Sequence, residues 1–328
     1  LTENNFYSKK KILITGGTGL LGRGLIELLL EQQAQVRVAS LDDPWTLPEG
    51  VEFLKLDLIR WEACLKACQG IDYVFQLACV KGGVGLGQSQ AVNFLEGNAL
   101  MNMHMLKAAR ECGVKKYLYS SSIAVYPDAE IFREDEVWDN PPHPSNKYAS
   151  WGKRIGELQC EAYLEQYGYK TCIVRPANIY GPYDNFDPLS AMVVPALISR
   201  VCNGEDPLVV WGDGNQVRDF IYVKDCARGV LRAMEKYYEC DPVNLGCGTG
   251  TSIRELVETL LRYTPHRPRV QWDTTKPIGN QTRLMDMTKA REKLDFHPAY
   301  SLDQGIQETL QWYLFNKDRL PKRHGIFV

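Results

Sequence analysis

No run of this 328-residue sequence approaches 18 apolar residues, so no segment has the length to cross a bilayer as a helix. The stretch LTENNFYSKKKILITGG lacks the apolar centre of a secretory signal, and export is not expected. Charge of one sign is scarce too: 38 basic residues stand against 40 acidic ones, a net −2 without long like-charged blocks. That balance argues against nucleic acid and membrane surfaces as partners. The ten cysteines are scattered singly, with no C-x-x-C and no histidine at metal-ligand spacing. No metal site is therefore expected, and the thiols fit a reducing, cytoplasmic setting. Fixed-period repeats and low-complexity tracts are also missing. What these absences leave is a globular protein whose partner is a small molecule.

The length suits one nucleotide-binding domain with a smaller one appended. In KKILITGGTGLLGRGLIELLLEQQAQVRVAS, an apolar strand from Ile12 to Thr15 passes through glycines into a helix with Leu21, Leu25, Leu28 and Leu29 on one face. A second strand, Gln35 to Ser40, completes a βαβ unit. The runs VEFLKLD, IDYVFQLA, VKKYLYSSS and YKTCIVRPANIYG continue the pattern, separated by helical segments such as Val92 to Cys112 and Lys153 to Tyr167. Strands alternating with helices predict an α/β fold, a doubly wound parallel sheet with ligands at the carboxyl ends of its strands. We place this first domain at residues 1–178. Beyond Gly181 loop-rich stretches alternate with short helices (Val193 to Cys202, Ser252 to Tyr263, Thr288 to Leu294, Leu302 to Phe315). Residues 179–328 read as a smaller α/β substrate lobe over the ligand edge, with chain segments free to interleave.

TGGTGLLG holds both Gly17-x-Gly19-x-x-Gly22 and Gly16-x-x-Gly19-x-x-Gly22. Glycines there allow a tight turn and close backbone approach to a pyrophosphate, which sits at the positive end of the following helix. Between a strand and an amphipathic helix, the tract predicts dinucleotide binding. The second strand ends in Ser40-Leu41-Asp42-Asp43 with no arginine after it, so Asp42 is the candidate for the adenosine ribose. That ending leans towards NAD, with NADP not excluded because Arg23 and Arg37 lie near in sequence.

TGGTGLLG, YLYSSSIAVYP, YASWGKRIGE and RPANIYGPYDNFDP together resemble the extended short-chain dehydrogenase/reductases, enzymes that oxidise, epimerise or dehydrate nucleotide sugars. The likeness spans nearly the whole chain, since VVWGDGNQVRDFIYVKD, NLGCGTGTSIREL and TRLMDMTKAREKL are similar to that family's substrate lobe. Its phrasing is closest to the GDP-fucose synthase-like branch. The resemblance implies a Rossmann domain and hydride transfer at a sugar carbon, commonly C4. It implies cofactor contacts at Gly16, Gly19, Leu20, Leu21, Gly22, Asp42, Asp57, Leu58, Leu77, Ala78, Asn98, Ser120, Tyr148, Lys153 and Pro176. A GDP-linked sugar is expected at Lys81, Ser122, Asn178, Trp211, Arg218 and Arg283. The two long helices imply a homodimer built as a four-helix interface.

The catalytic hydroxyl falls on Ser122, counted back from Tyr126; a serine that only caps nearby backbone is the alternative. In NKYASWGKRIGE, Lys153 matches the family lysine, but Ala149 occupies the tyrosine slot and Tyr148 stands one residue early. Five residues rotate the lysine by about 140° from the tyrosine on a regular helix. Either a bulge around Ser150 to Gly152 brings Tyr148 back to the site, or Tyr148 points elsewhere. Ile123 and Ala124 stand where the dehydratases carry an Asp-Glu pair, and Ala124 and Met192 where C3/C5 epimerisation needs Cys and His. What remains is redox at C4, alone or as half of a 4-epimerase cycle. Alternatives are a 4-keto nucleotide-sugar reductase and a nucleotide-binding protein with little chemistry. Lys81 is a substitute acid or a solvated loop lysine, and the glycines around it suggest a lid. Arg218 and Arg283 suit a diphosphate, unless Asp219 and Asp286 pair with them, and Trp211 is a base contact or core.

Overall fold

A computed structural model of the chain describes residues 6–45, 47–81, 89–187, 190–264, 266–276 and 279–320. The first half runs β1 (Lys11–Thr15), α1 (Leu20–Glu31), β2 (Gln35–Ser40), β3 (Glu52–Lys55), α2 (Trp61–Cys68), β4 (Tyr73–Gln76), α3 (Ala91–Glu111) and β5 (Lys116–Ser120). Then come β6 (Ile131–Phe132), α4 (Lys147–Tyr167), β7 (Cys172–Pro176) and β8 (Asn178–Tyr180). The rest follows as α5 (Val193–Cys202), β9 (Leu208–Trp211), β10 (Val217–Arg218), β11 (Phe220–Tyr222), α6 (Val223–Lys236) and β12 (Val243–Leu245). It closes with β13 (Thr251–Ser252), α7 (Ile253–Tyr263), β14 (Val270–Asp273), β15 (Thr282–Met285), α8 (Thr288–Leu294) and α9 (Leu302–Asn316).

Seven strands pair in parallel in the order β12-β7-β5-β4-β1-β2-β3. Successive side chains of a strand point to opposite faces, and here both faces are covered. Ile12 and Ile14 of β1, with Tyr73 and Phe75 of β4, pack into the cluster that takes Leu25 and Leu29 of α1 and Val230 of α6. Leu13 and Val74 point the other way, into a cluster with Cys64 of α2, Met105 of α3 and Cys160 of α4. Burial on both sides explains why these strands read as unbroken apolar runs.

A second lobe carries the four-stranded sheet β13-β10-β15-β6 and its own core, with Leu197, Ile198, Leu256 and Leu310 among the buried residues. Chain segments cross between the lobes in both directions. Val223–Leu245 returns to the first sheet as α6 and β12, while Ile131–Phe132 leaves to pair with β15. The sequence reading gave six strands; the seventh, three residues long, has too short an apolar run to stand out. The long run Tyr169 to Gly181 splits at Ala177 into β7 in the main sheet and β8, which pairs with β11.

Helix α4 begins six residues earlier than the segment predicted from Lys153. It is regular from Lys147 to Tyr167, so the expected bulge at Ser150 to Gly152 is not formed. Close packing leaves no room for one. A Cβ on Gly152 would stand 2.9 Å from the Asn98 Cβ on α3, and one on Gly156 would stand 2.4 Å from the Tyr119 hydroxyl. Among the described residues, no helix is long and apolar enough to cross a membrane.

Candidate active site

The carboxyl ends of β1, β2, β4 and β5 converge around the glycine turn. Gly16 takes φ +64°, a left-handed conformation that costs glycine nothing, and Gly19 N–H donates to its carbonyl at 3.0 Å. A Cβ on Gly22 would lie 2.5 Å from the Gly17 Cα. Helix α1 starts with no side-chain cap and no acid in its first turn. Its first N–H groups and positive dipole end are thus left for an anion. This cradle fits a dinucleotide pyrophosphate.

At the neighbouring strand ends, Thr15 Oγ1 accepts the N–H groups of Leu77 (2.9 Å) and Ala78 (3.0 Å), locking β1 to the turn after β4. Asn98 Oδ1 accepts Val80 N–H at 3.0 Å and Nδ2 donates to Phe94 O at 2.8 Å. Its amide therefore shapes the 77–81 turn from within the core. At the ribose end, Ser40 Oγ meets Thr18 Oγ1 at 2.7 Å, and Asp42 N–H donates to Ser40 Oγ at 3.3 Å. Arg37 is turned to Glu52 and the carbonyls of Ala67 and Gln69, away from that end. Asp57 accepts Ile59 N–H at 3.2 Å, and Leu58 beside it is buried.

Ser122 follows β5 in extended backbone, and its Oγ accepts Ala124 N–H at 3.1 Å. The capping alternative is thus realised, yet a hydroxyl that accepts one bond keeps its proton to donate. Arg154 Nε and Ser150 Oγ donate to the carbonyls of Val125 (2.9 Å) and Ala124 (2.7 Å), holding this turn against α4. Behind it, Arg175 and Glu157 form a buried bidentate pair at 2.9 and 2.7 Å, and Arg175 also donates to the Tyr126 hydroxyl at 3.1 Å. Sequence reading missed this brace; the signal was an arginine inside the apolar strand CIVRP.

Lys153 Nζ donates to Ser120 O at 2.8 Å. Burial pulls the ammonium below the usual lysine range, opposed in part by Cys79 and Glu157. Ala149 lies one turn before it on the same stripe of α4. Tyr148 is exposed at the helix start, its ring 5.5 Å from the Lys147 ammonium. Among the described residues its hydroxyl makes no hydrogen bond. The structure therefore joins Lys153 to Ser120, sets Ser122 on the turn that Ser150 and Arg154 hold against α4, and leaves Tyr148 on the stripe it shares with exposed Trp151.

In the second lobe, Arg218 on β10 and Arg283 on β15 are register partners. Asp219 spends its carboxylate on the N–H groups of Cys247 (2.8 Å) and Gly248 (2.9 Å), and Asp286 accepts Thr288 N–H at 2.8 Å. Among the described residues, Arg283 Nε is buried without a partner. Burial, reinforced by the Arg218 charge, lowers its guanidinium to about 10 against the pull of Asp128. Two cations side by side, one with an orphaned donor, make a receptor for a doubly charged anion. Asn178 Nδ2 donates to Asp219 O at 2.8 Å, tying β8 to the same corner. Trp211 is 56% exposed and so is not core; it edges a cleft of about 530 Å³ with Ala196, Arg200 and Val209. Lys81 Nζ stands 3.8 Å from Asp184 Oδ1 in the loop after β8. The glycine lid expected beyond Lys81, residues 82–88, lies outside the described residues. Met192 is exposed at the start of α5, and no cluster of metal-binding side chains occurs among the described residues.

A parallel sheet with this glycine cradle defines a dinucleotide-dependent α/β enzyme class. The profile of the NAD dependent epimerase/dehydratase family matches residues 12–246, and the chain belongs to that family of enzymes. It is 31% identical to GDP-L-fucose synthase of Escherichia coli, over 95% of this chain and 99% of that one. With dTDP-4-dehydro-6-deoxy-D-allose reductase of Streptomyces bikiniensis it shares 29%, over 94% and 97%. Among solved structures, UDP-glucose 4-epimerase of Thermotoga maritima superposes with a TM-score of 0.83 at 28% identity, covering 94% of this chain and 99% of that one. A GDP-L-fucose synthetase from Naegleria fowleri bound to NADP superposes at 0.82 with 27% identity, covering 96% and 97%.

Proposed function

We propose that the protein is an NAD-dependent oxidoreductase or 4-epimerase that takes a nucleotide sugar, GDP-linked, and works by hydride transfer at C4. The observation that carries the nucleotide sugar is the Arg218–Arg283 pair on adjoining strands of the second lobe, with the Arg283 Nε buried and, among the described residues, unpartnered. Relatives across the matched length are named for GDP-, dTDP- and UDP-sugars, which supports the substrate class. Preference for NAD rests on the ribose end, where Ser40 and Asp42 stand and Arg37 is turned away.

A bound nicotinamide supplies or accepts the hydride. In this reading Ser122 donates a hydrogen bond to the sugar oxygen and Lys153 holds the nicotinamide ribose. With Ala149 in the tyrosine slot, Lys153 is also the proton carrier in this reading, since burial makes its ammonium more acidic than a free one. Ala124 and Met192 cannot exchange protons, so this reading does not include epimerisation at C3 and C5 by a Cys and a His. The test is incubation with NAD or NADH and a panel of GDP-, dTDP- and UDP-sugars, following nicotinamide absorbance and sugar products. Turnover on none of them, with tight binding of cofactor and sugar nucleotide, favours the second reading. That reading is a binding protein with little chemistry, and the position of Tyr148 outside the Lys153 stripe is what speaks for it.

We further read the faces of α3 and α4 as a homodimer surface. Val92, Leu100 and Met103 on α3 and Trp151 and Leu158 on α4 are large apolar residues left exposed, a set that suits burial against a second copy.

A further inference from the structure

Arg23 sits in the first turn of α1, one residue past Gly22, and is only 4% exposed. Its Nε and Nη1 are buried and have no hydrogen-bond partner among the described residues. Nη2 is engaged, 3.3 Å from the Tyr183 hydroxyl and 3.6 Å from Glu27 Oε1. The guanidinium carbon lies 4.6 Å above the Tyr183 ring.

This placement is unfavourable in the free protein for two separate reasons. A buried guanidinium with idle donors has lost water without gaining acceptors. A cation in the first helical turn also opposes the positive end of the macrodipole. Glu27 relieves this little, because it is 43% exposed and meets one nitrogen at long range. An anion at the helix start relieves both. Arg23 itself stands in the first turn, where the N–H groups of α1 carry no side-chain cap.

We propose that Arg23 is a ligand-binding cation for the diphosphate of the dinucleotide, meeting it from the second-lobe side while the glycine turn meets it through backbone. The inference rests on the dinucleotide reading of the cradle. Through Tyr183, the same guanidinium links the cofactor's diphosphate to the loop after β8, whose Asp184 faces Lys81. Cofactor and sugar-nucleotide sites are thereby in contact through one side chain.

The experiment is calorimetric titration of wild type, Arg23→Met and Arg23→Lys with ADP-ribose and with adenosine, beside thermal melts without ligand. Arg23→Met is expected to weaken ADP-ribose roughly tenfold or more, the loss of a charged hydrogen bond. Adenosine, which has no diphosphate, should bind the variant as it binds wild type. Arg23→Lys, which keeps the charge without the fork, should fall between. The ligand-free Arg23→Met protein should melt no lower than wild type, because an unpaired buried cation has been removed. A merely structural arginine predicts the opposite: a lower melting temperature and equal losses for both ligands. Unchanged ADP-ribose affinity in Arg23→Met overturns the inference alone. Wild type that binds adenosine and not ADP-ribose overturns the dinucleotide reading with it.

Discussion

Ala149 and Lys153 stand one turn apart on the same stripe of α4, so a methyl group faces the space from which a phenol would meet the ammonium. The regular helix keeps Tyr148 off that stripe. We therefore expect Ala149→Tyr to raise turnover. A positioned general acid contributes roughly 10²–10⁴-fold, and partial recovery of about tenfold would be enough to detect. Tyr148→Phe, by contrast, should change kcat less than about twofold. Steady-state kinetics on whichever nucleotide sugar is turned over decides between them. A collapse of kcat in Tyr148→Phe would mean that the first turn of α4 rearranges on binding, and Tyr148 would regain the acid's role.

The strand–turn–helix frame of the candidate site was legible in the sequence, because it is written in local spacing. Gly16, Gly19 and Gly22 follow a strand and open a helix, and only backbone geometry is needed to place a pyrophosphate there. The strands read correctly because burial on both faces makes them continuously apolar. Long-range choices were hidden. That β12 rejoins the first sheet, that β6 leaves it, and that Arg175 braces Glu157 against the turn after Ser122 depend on partners more than ten residues away, which no window displays. Helix α6 carried its signal in Val223, Cys226, Val230 and Met234 at helical spacing, amid loop-like surroundings. The bulge expected in α4 failed because Gly152 and Gly156 serve close contact with α3 and Tyr119, a role that requires an unbroken helix.

Arg283 offers a test of the diphosphate receptor. Arg283→Gln removes a buried charge that repels Arg218 and leaves a shorter amide in its place. Affinity for GDP should fall by about 1.5–3 kcal/mol, the range for hydrogen bonds to charged groups. Binding of the dinucleotide should change far less, since none of the contacts of Arg283 among the described residues involves the glycine turn or Arg23. Equal weakening of both ligands would point to a general loss of structure and remove the residue from the site. Unchanged GDP binding would remove the receptor altogether.

The buried ammonium of Lys153 makes stability depend on pH with a defined sign. Its folded pKa lies below the unfolded value of about 10.4. As pH falls through the interval between them, the unfolded chain takes up the proton first, so the native state loses ground. The penalty is complete below the folded value and vanishes above the unfolded one. Lys153→Met abolishes it. Thermal melts in the absence of ligand, from about pH 7 to about pH 10.4, should show the variant more stable at the neutral end. The advantage should shrink as pH rises. A constant difference across the range, or wild type more stable throughout, would show that the Ser120 hydrogen bond outweighs the desolvation invoked here.

The apolar residues on α3 and α4 lead to a prediction about assembly. Leu158 is 53% exposed and Met103 42% exposed, on helices that already pack closely against each other through Gly152. A second copy applied to this face would bury both side chains, each worth about 1.5–3 kcal/mol when fully covered. A glutamate at 158 would meet its symmetry mate or apolar surface across such an interface, where an unpaired charge costs several kcal/mol. Leu158→Glu should therefore turn a dimer into a monomer in light scattering at micromolar concentration. The monomer's fold should persist, because Leu158 belongs to neither of the two clusters that cover the sheet. Wild type that is already monomeric at that concentration would leave these residues as ordinary surface and end the four-helix reading.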